Sequence, residues 1–173
     1  MFKLIEKYDA KVYKYINSKP HNKLIDKIMI FFTLLGNLGL IWIMISILFI
    51  SRSNSRKNGI MLLCALLLTT ILGEGIIKNI VRRKRPFIKM DTYHKLLIIP
   101  PRSHSFPSGH TASSFAASAV FLAIDSELSA IIILIASLIA FSRLYLNVHY
   151  LSDIIGGGIL GLICGYITTG LFS

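Results

Sequence analysis

The chain has 173 residues, 54% of them apolar, and a formal net charge of +11. That length suits one domain, but the apolar residues run in blocks of bilayer length, which excludes a soluble globular class. In such a chain the excess of Lys and Arg points to anionic head groups or an anion site, and nucleic acid is not the expected partner.

The first 17 residues, MFKLIEKYDAKVYKYIN, set Phe2, Ile5, Val12, Ile16 and the tyrosines against Lys3, Lys7, Lys11 and Lys14 at near-helical spacing. This predicts an amphipathic helix lying in the membrane interface, within residues 1–22. No small-residue cleavage site precedes an apolar core there, so no secretory signal is expected. Apolar blocks follow at residues 27–50, 59–80, 109–124, 129–146 and 151–172. About 20 apolar residues span a bilayer as a helix. The predicted fold is therefore all-α: an integral membrane bundle of five transmembrane helices over residues 27–172, with the interfacial helix before it. Residues 1–173 form a single membrane-embedded domain. The third block is short and rich in Ser and Ala, so it should pack against protein more than lipid. Gly157, Gly161 and Gly165 recur every four residues and predict close helix packing. Cys64 and Cys164 sit inside apolar blocks; they read as packing residues, with no metal-ligand spacing or disulfide framework.

Five alternating spans bring three separated polar clusters to one membrane face. These are Lys78 to Arg85, Ser108 to His110, and Arg143 to Asp153, joined by a polar loop over residues 81–107 that holds four of the five prolines. Ionisable groups at membrane depth are costly and mark function by default. Lys78, Arg85 and Arg143 supply three cations, and a guanidinium fork matches phosphate oxygens. PSGHTASS opens a helix after a turn, where free amides and the Ser108 hydroxyl suit an anion. His149 and Asp153 stand four apart, one helical turn, so the carboxylate can hold one ring nitrogen protonated and leave the other as a lone pair. His110 remains to protonate a leaving oxygen.

Together these features describe a phosphate cradle with a nucleophilic histidine and a histidine acid. Metal-assisted chemistry needs clustered carboxylates. Only Glu74, Asp91 and Asp153 are expected to reach this face, so neither metal nor cofactor is expected. Glu74, one turn before Lys78, either pairs with it or meets substrate. His21, His94 and His104 read as loop-surface residues, with His104 next to the site. Arg82, Arg83 and Lys84 read as a solvated or head-group-facing stripe.

The motifs resemble those of the type-2 phosphatidic-acid phosphatases, whose site is shared with vanadium haloperoxidases. Lys78 with Arg85-Pro86 fits K-x6-R-P, residues 107–110 read PSGH, and SRLYLNVHYLSD fits S-R-x5-H-x3-D. The resemblance implies His149 as nucleophile, Asp153 as its partner and His110 as the acid. Lys78, Arg85, Ser108, Gly109 and Arg143 would hold the phosphate, with Glu74 and His104 as candidates for support. It implies a metal-independent lipid phosphatase working through a phosphohistidine. The short form is similar to the bacterial undecaprenyl-diphosphate phosphatases of the family. Phosphatidylglycerophosphate and phosphatidic acid are alternative substrates, and a non-enzymatic anionic-lipid binder or transporter is the alternative class; a haloperoxidase would be soluble and longer. Most of the nineteen Lys and Arg lie on the site's face, which the positive-inside rule would place in the cytoplasm. The resemblance instead implies a bacterial cytoplasmic membrane with the site on its extracytoplasmic face.

Overall fold

The computed structural model describes residues 2–18, 20–92, 96–124 and 126–172, which form helices and connections and no strand. Helix α1 is Phe2–Asn17 and α2 is Lys23–Leu35. Asn22 starts α2: its side-chain oxygen accepts from the amides of Leu24 (2.8 Å) and Ile25 (3.4 Å), two donors a helix start leaves free. The block at residues 27–50 is not one straight helix. A tight turn at Asn37–Gly39, with Leu38 (φ 53°) and Gly39 (φ 68°) left-handed, separates α2 from α3, Leu40–Ser51. The two are bent by 45°.

Helix α4, Arg56–Thr70, runs into a π-helical stretch, Ile71–Ile77, and then α5, Lys78–Val81. The Lys78 amide reaches back five residues to the Gly73 carbonyl, which widens the turn. Arg82, at φ 48°, ends α5. Helix α6, Pro86–Lys89, begins with a proline whose fixed φ suits a first helical turn. The remaining helices are α7, Gly109–Ile124, α8, Ser126–Tyr145, and α9, Leu151–Leu171.

Among the described residues, three helical runs are long and apolar enough to cross a membrane: Ser53–Lys89, Glu127–Tyr145 and Leu151–Leu171. The bent α2–α3 pair makes a fourth, and α7 is shorter, at 16 residues. Large apolar side chains such as Leu134, Ile159 and Ile163 are exposed on the outside of the bundle. A face of that kind matches hydrocarbon rather than water, and the chain is an integral membrane protein.

Helix α7 lies inside. Ala116, Ala117, Val120 and Phe121 join Trp42, Leu62, Leu66 and Ile139 in the main apolar core. Its serines are satisfied within the protein: Ser114 Oγ accepts from Trp42 Nε1 (3.1 Å), and Ser118 donates to the Ser114 carbonyl (3.0 Å). Helix α9 packs on α7 through its glycines. A Cβ on Gly157 would come 2.6 Å from the Ser108 carbonyl, and one on Gly161 would strike the Ala112 carbonyl. Helix α1 lies against the α8–α9 end of the bundle. Asn17 and Asn147 exchange side-chain hydrogen bonds (2.7 and 3.0 Å), and Tyr13 pairs with Thr92 (2.6 Å).

Candidate active site

At one end of the bundle a cavity of about 1170 Å³ is lined by Lys78, Arg85, Gly109, His110, Arg143 and His149. Its outer wall is apolar, from Leu34 and Leu38 on the α2 side to residues 96–101 of the loop. The lining therefore joins a cationic floor to a greasy mouth.

Three cations and a histidine are placed by four elements. Lys78 closes the π-helical stretch, Arg85 caps α6, Arg143 ends α8, and His149 precedes α9. Lys78, Arg85 and Arg143 are 5%, 2% and 3% exposed. Arg85 is held by loop carbonyls: Nε donates to Ser103 O (2.7 Å), one terminal nitrogen to Val148 O (2.9 Å) and the other to His104 O (3.3 Å). Ser103 Oγ accepts from both Arg85 and Lys78, each at 3.2 Å. Arg143 donates to Thr33 Oγ1, and its buried Nε has no partner among the described residues. Of these three, only Lys78 meets a carboxylate among the described residues, Glu74 at 2.6 Å. Buried charge is normally paired, so Arg85 and Arg143 leave the cavity with positive charge that no carboxylate among the described residues neutralises.

His149 is buried with its Nε2 3.1 Å from an Arg85 terminal nitrogen. Arginine has only donors, so Nε2 presents its lone pair and the neutral ring carries its proton on Nδ1. Nδ1 faces Asp153 Oδ2 at 3.4 Å, a separation too loose and poorly aligned for a hydrogen bond. Burial pushes the imidazole down to about 3; the nearby Asp153 pulls it up, and Arg85 and Arg143 reinforce the fall. The ring is neutral at neutral pH, the state a nucleophile needs. Asp153 is fully buried and fixed on both oxygens. Oδ2 accepts from the Ser105 hydroxyl and the Tyr150 amide (2.8 Å), and Oδ1 from Arg83 (2.6 Å).

Gly109 opens α7, and its first amides precede the first intrahelical bond, Ala112 N–H to Ser108 O (2.9 Å). A Cβ on Gly109 would meet the Glu74 carboxylate, the end of a flexible side chain that would have to turn away from Lys78. Ser108 is fully buried and does not line the cavity. Its amide donates to the Asp153 carbonyl (3.0 Å) and its hydroxyl accepts from Thr111 (3.0 Å).

Of the expected residues, Lys78, Arg85, Gly109, His110, Arg143, His149 and Glu74 meet at the cavity, and Asp153 stands directly behind His149. His104 contributes its backbone carbonyl to Arg85. His21 is exposed but engaged, 3.0 Å from Asp26 and edge-on to Tyr145. His94 lies outside the described residues. Asp91 is exposed and away from the cavity lining, contrary to its expected reach. Arg83 is not part of a solvated stripe: it turns inward and bridges Asp153 to Asp9 of α1 (2.6 Å to each). Asp9, not anticipated at this face, is buried against Arg83, whereas Glu6, the other acid of α1, stays exposed and pairs with Lys89 (3.4 Å). Ser103, Ser105 and Thr33 were also missed; isolated hydroxyls in a loop or an apolar helix carry no periodic signal.

The sequence model of the PAP2 superfamily matches residues 59–173. The undecaprenyl-diphosphatase of Sulfolobus acidocaldarius is 29% identical over 157 residues, which cover 89% of this chain and 73% of the relative. Undecaprenyl-diphosphatase BcrC of Bacillus subtilis is 29% identical over 154 residues, covering 85% and 75%. Among solved structures, LpxE of Aquifex aeolicus is 30% identical with a TM-score of 0.80, over 93% of this chain and 94% of that one. A PAP2-type phosphatidylglycerolphosphate phosphatase from Bacillus subtilis, 23% identical, shares the fold with a TM-score of 0.77, over 97% and 86%. Three motifs in order and a match over more than half of the chain agree: this chain belongs to the PAP2 superfamily and is a membrane phosphatase.

Proposed function

We propose that the chain hydrolyses undecaprenyl diphosphate to undecaprenyl phosphate through a phosphohistidine, without a metal. The observation that carries this reading is the positive charge of Arg85 and Arg143, which no carboxylate among the described residues pairs, around a cavity that His149 lines with its Nε2 lone pair held by an Arg85 N–H. A phosphoryl group supplies the missing negative charge, and fixed cations stabilise its transition state. The undecaprenyl-diphosphatases among its relatives and the apolar mouth support a polyprenyl substrate.

The steps follow from the residues. Phosphate oxygens draw the Arg85 guanidinium from Nε2, which frees the lone pair. Nε2 of His149 forms a bond to the terminal phosphorus, and the bond from phosphorus to the bridging oxygen breaks. His110 gives that oxygen its proton, and lipid monophosphate leaves. Asp153 steadies the proton on Nδ1 as the ring gains positive charge. Water then attacks phosphorus, returns a proton to His110, and phosphate is released as the P–N bond breaks. Lys78, Arg143 and the first amides of α7, from Gly109 onward, hold the phosphoryl oxygens throughout; Ser108 supports that turn.

The wider frame is also a proposal. Residues 1–173 act as one domain in which the bent α2–α3 pair, α4 with its extensions, α7, α8 and α9 serve as five spans, and α1 lies in the interface with its lysines among head groups. The membrane is a bacterial cytoplasmic membrane and the cavity opens on its extracytoplasmic face. The test is phosphate release in EDTA from detergent-solubilised protein given undecaprenyl diphosphate, phosphatidylglycerophosphate and phosphatidic acid. The diphosphate should be hydrolysed fastest; preference for either monophosphate would overturn the substrate, and dependence on added metal would overturn the chemistry. Impermeant thiol labelling of Cys placed at Ile99 in intact cells should succeed if the face is external.

A further inference from the structure

We infer that Arg83 and Asp9 are positioning residues for the reaction: together they form a charged bridge that sets Asp153 behind His149 and ties its placement to α1. This rests on the roles proposed above for His149 and Asp153. Arg83 stands in the link between α5 and α6 and does not line the cavity. One terminal nitrogen donates to Asp153 Oδ1 at 2.6 Å and to Ser152 Oγ at 2.7 Å; the other donates to Asp9 Oδ2 at 2.6 Å. Its guanidinium lies 4.1 Å from the centre of the Tyr150 ring, which limits its movement on that side. Asp9 is 3% exposed and is fixed in turn by the Ser152 amide (2.9 Å) and hydroxyl (2.5 Å).

The two carboxylates therefore come from the first and last helices and share one arginine. Among the described residues Arg83 is the sole partner of Asp153 Oδ1, while Oδ2 serves Ser105, Tyr150 and the His149 side. With Oδ1 anchored, the carboxylate plane cannot turn, and Oδ2 stays beside Nδ1, 3.4 Å away. Without the anchor, a buried carboxylate has Arg85 as a competing cation nearby. A planar fork can bridge two acids, whereas an ammonium cannot reproduce both arms. The 74-residue separation of Asp9 and Arg83 also means that displacing α1 pulls on the dyad.

The experiment measures kcat and KM of purified full-length Arg83→Gln, Arg83→Lys, Asp9→Asn and the Asp9→Asn/Arg83→Gln double variant on undecaprenyl diphosphate in detergent micelles. In metal sites, loss of the partner that orients a ligand costs about 10–100-fold in function, and an oriented catalytic dyad sets a comparable scale. We expect kcat of Arg83→Gln to fall about tenfold or more with KM within about twofold, because the residue acts through Asp153 and not on the phosphate. Arg83→Lys and Asp9→Asn should fall less, and the double variant no further than Arg83→Gln, since coupled residues are not additive. If Arg83→Gln does not fold, the same split in Asp9→Asn and Arg83→Lys decides. Values of kcat within about twofold of wild type, additive losses, or a raised KM at unchanged kcat would overturn the inference. His149→Ala runs in parallel. Were it active, the catalytic assignment itself would fall; if it is inactive while the Arg83 and Asp9 variants keep full kcat, only the bridge falls.

Discussion

Replacing Asp153 by Asn keeps the shape of a fully buried side chain and changes one donor pattern. Asp153 faces donors on every side: Arg83 at Oδ1, and Ser105 and the Tyr150 amide (2.8 Å) at Oδ2. An amide must place its NH₂ on one of those sides. Placed toward Arg83 it sets donor against donor at 2.6 Å. Placed toward Tyr150 it also opposes Nδ1–H of His149, 3.4 Å away, and favours the tautomer with the proton on Nε2. That proton then points at the Arg85 donor (3.1 Å) and removes the lone pair that attacks phosphorus. The same tautomer fault costs about 10⁴ in kcat in a serine-protease triad. Because Nδ1 and Oδ2 are only loosely coupled here, we expect about 10³ for Asp153→Asn. That corresponds to about 4 kcal/mol of transition-state stabilisation at about 1.36 kcal/mol per decade. The assay is kcat at saturating lipid diphosphate in detergent, alongside a thermal melt to show that the protein is folded. A folded Asp153→Asn protein with kcat within about tenfold of wild type would refute the tautomer argument.

Three further outcomes follow from the same geometry. His149 ionises near 6.5 in an unfolded chain but at about 3 in the fold; between those values the unfolded state binds the proton and the native state does not, so stability is kept above about 6.5 and falls as pH drops toward 3. Thermal melts from pH 7 to 4 should therefore show a smaller acid loss in His149→Gln than in wild type; equal losses would contradict this. Glu74→Gln removes the carboxylate 2.6 Å from Lys78, so inorganic phosphate should inhibit more tightly, by several-fold, and unchanged inhibition would mean that Glu74 does not compete for the lysine. Gly161→Val places a branched side chain against the Ala112 carbonyl and Ala116 amide; it should lower the melting temperature sharply or abolish recovery of monodisperse protein, whereas Gly170→Val, where a Cβ meets nothing, should not.

The cavity was readable in the sequence because its charges violate the hydropathy of their surroundings. Lys78, Arg143, His149 and Asp153 stand at the ends of apolar blocks, where ionisable groups need a reason to exist. The glycine stripe of α9 was equally plain, since small residues every four positions mark one helix face. Averages hide local backbone, however. The break at Gly36–Gly39 lies inside a block that averages apolar over bilayer length, and mean hydropathy does not separate a bent pair from a straight span, although Gly36, Asn37 and Gly39 are turn-prone residues. Arg83 looked like its neighbours because a run of cations gives no hint of which one turns inward. The left-handed Arg82 and the hydrogen bond from Ser105 N–H to the Arg83 carbonyl (2.9 Å) decide that. Asp9 was invisible for a related reason: pairing across 74 residues leaves no local pattern. Ser108 sits in an anion-binding turn by motif, yet its amide is taken by the Asp153 carbonyl, a contact that only the packing of α9 on α7 creates.

The most direct test of a covalent histidine mechanism is a rapid alkaline quench of the enzyme during turnover of lipid diphosphate labelled in its terminal phosphate. Acid-labile label should appear on His149, reach a steady level within the first turnovers, and be absent from the His149→Ala protein, which should also release no phosphate. Steady phosphate release with no labelled protein at any time point, or a fully active His149→Ala enzyme, would contradict the account.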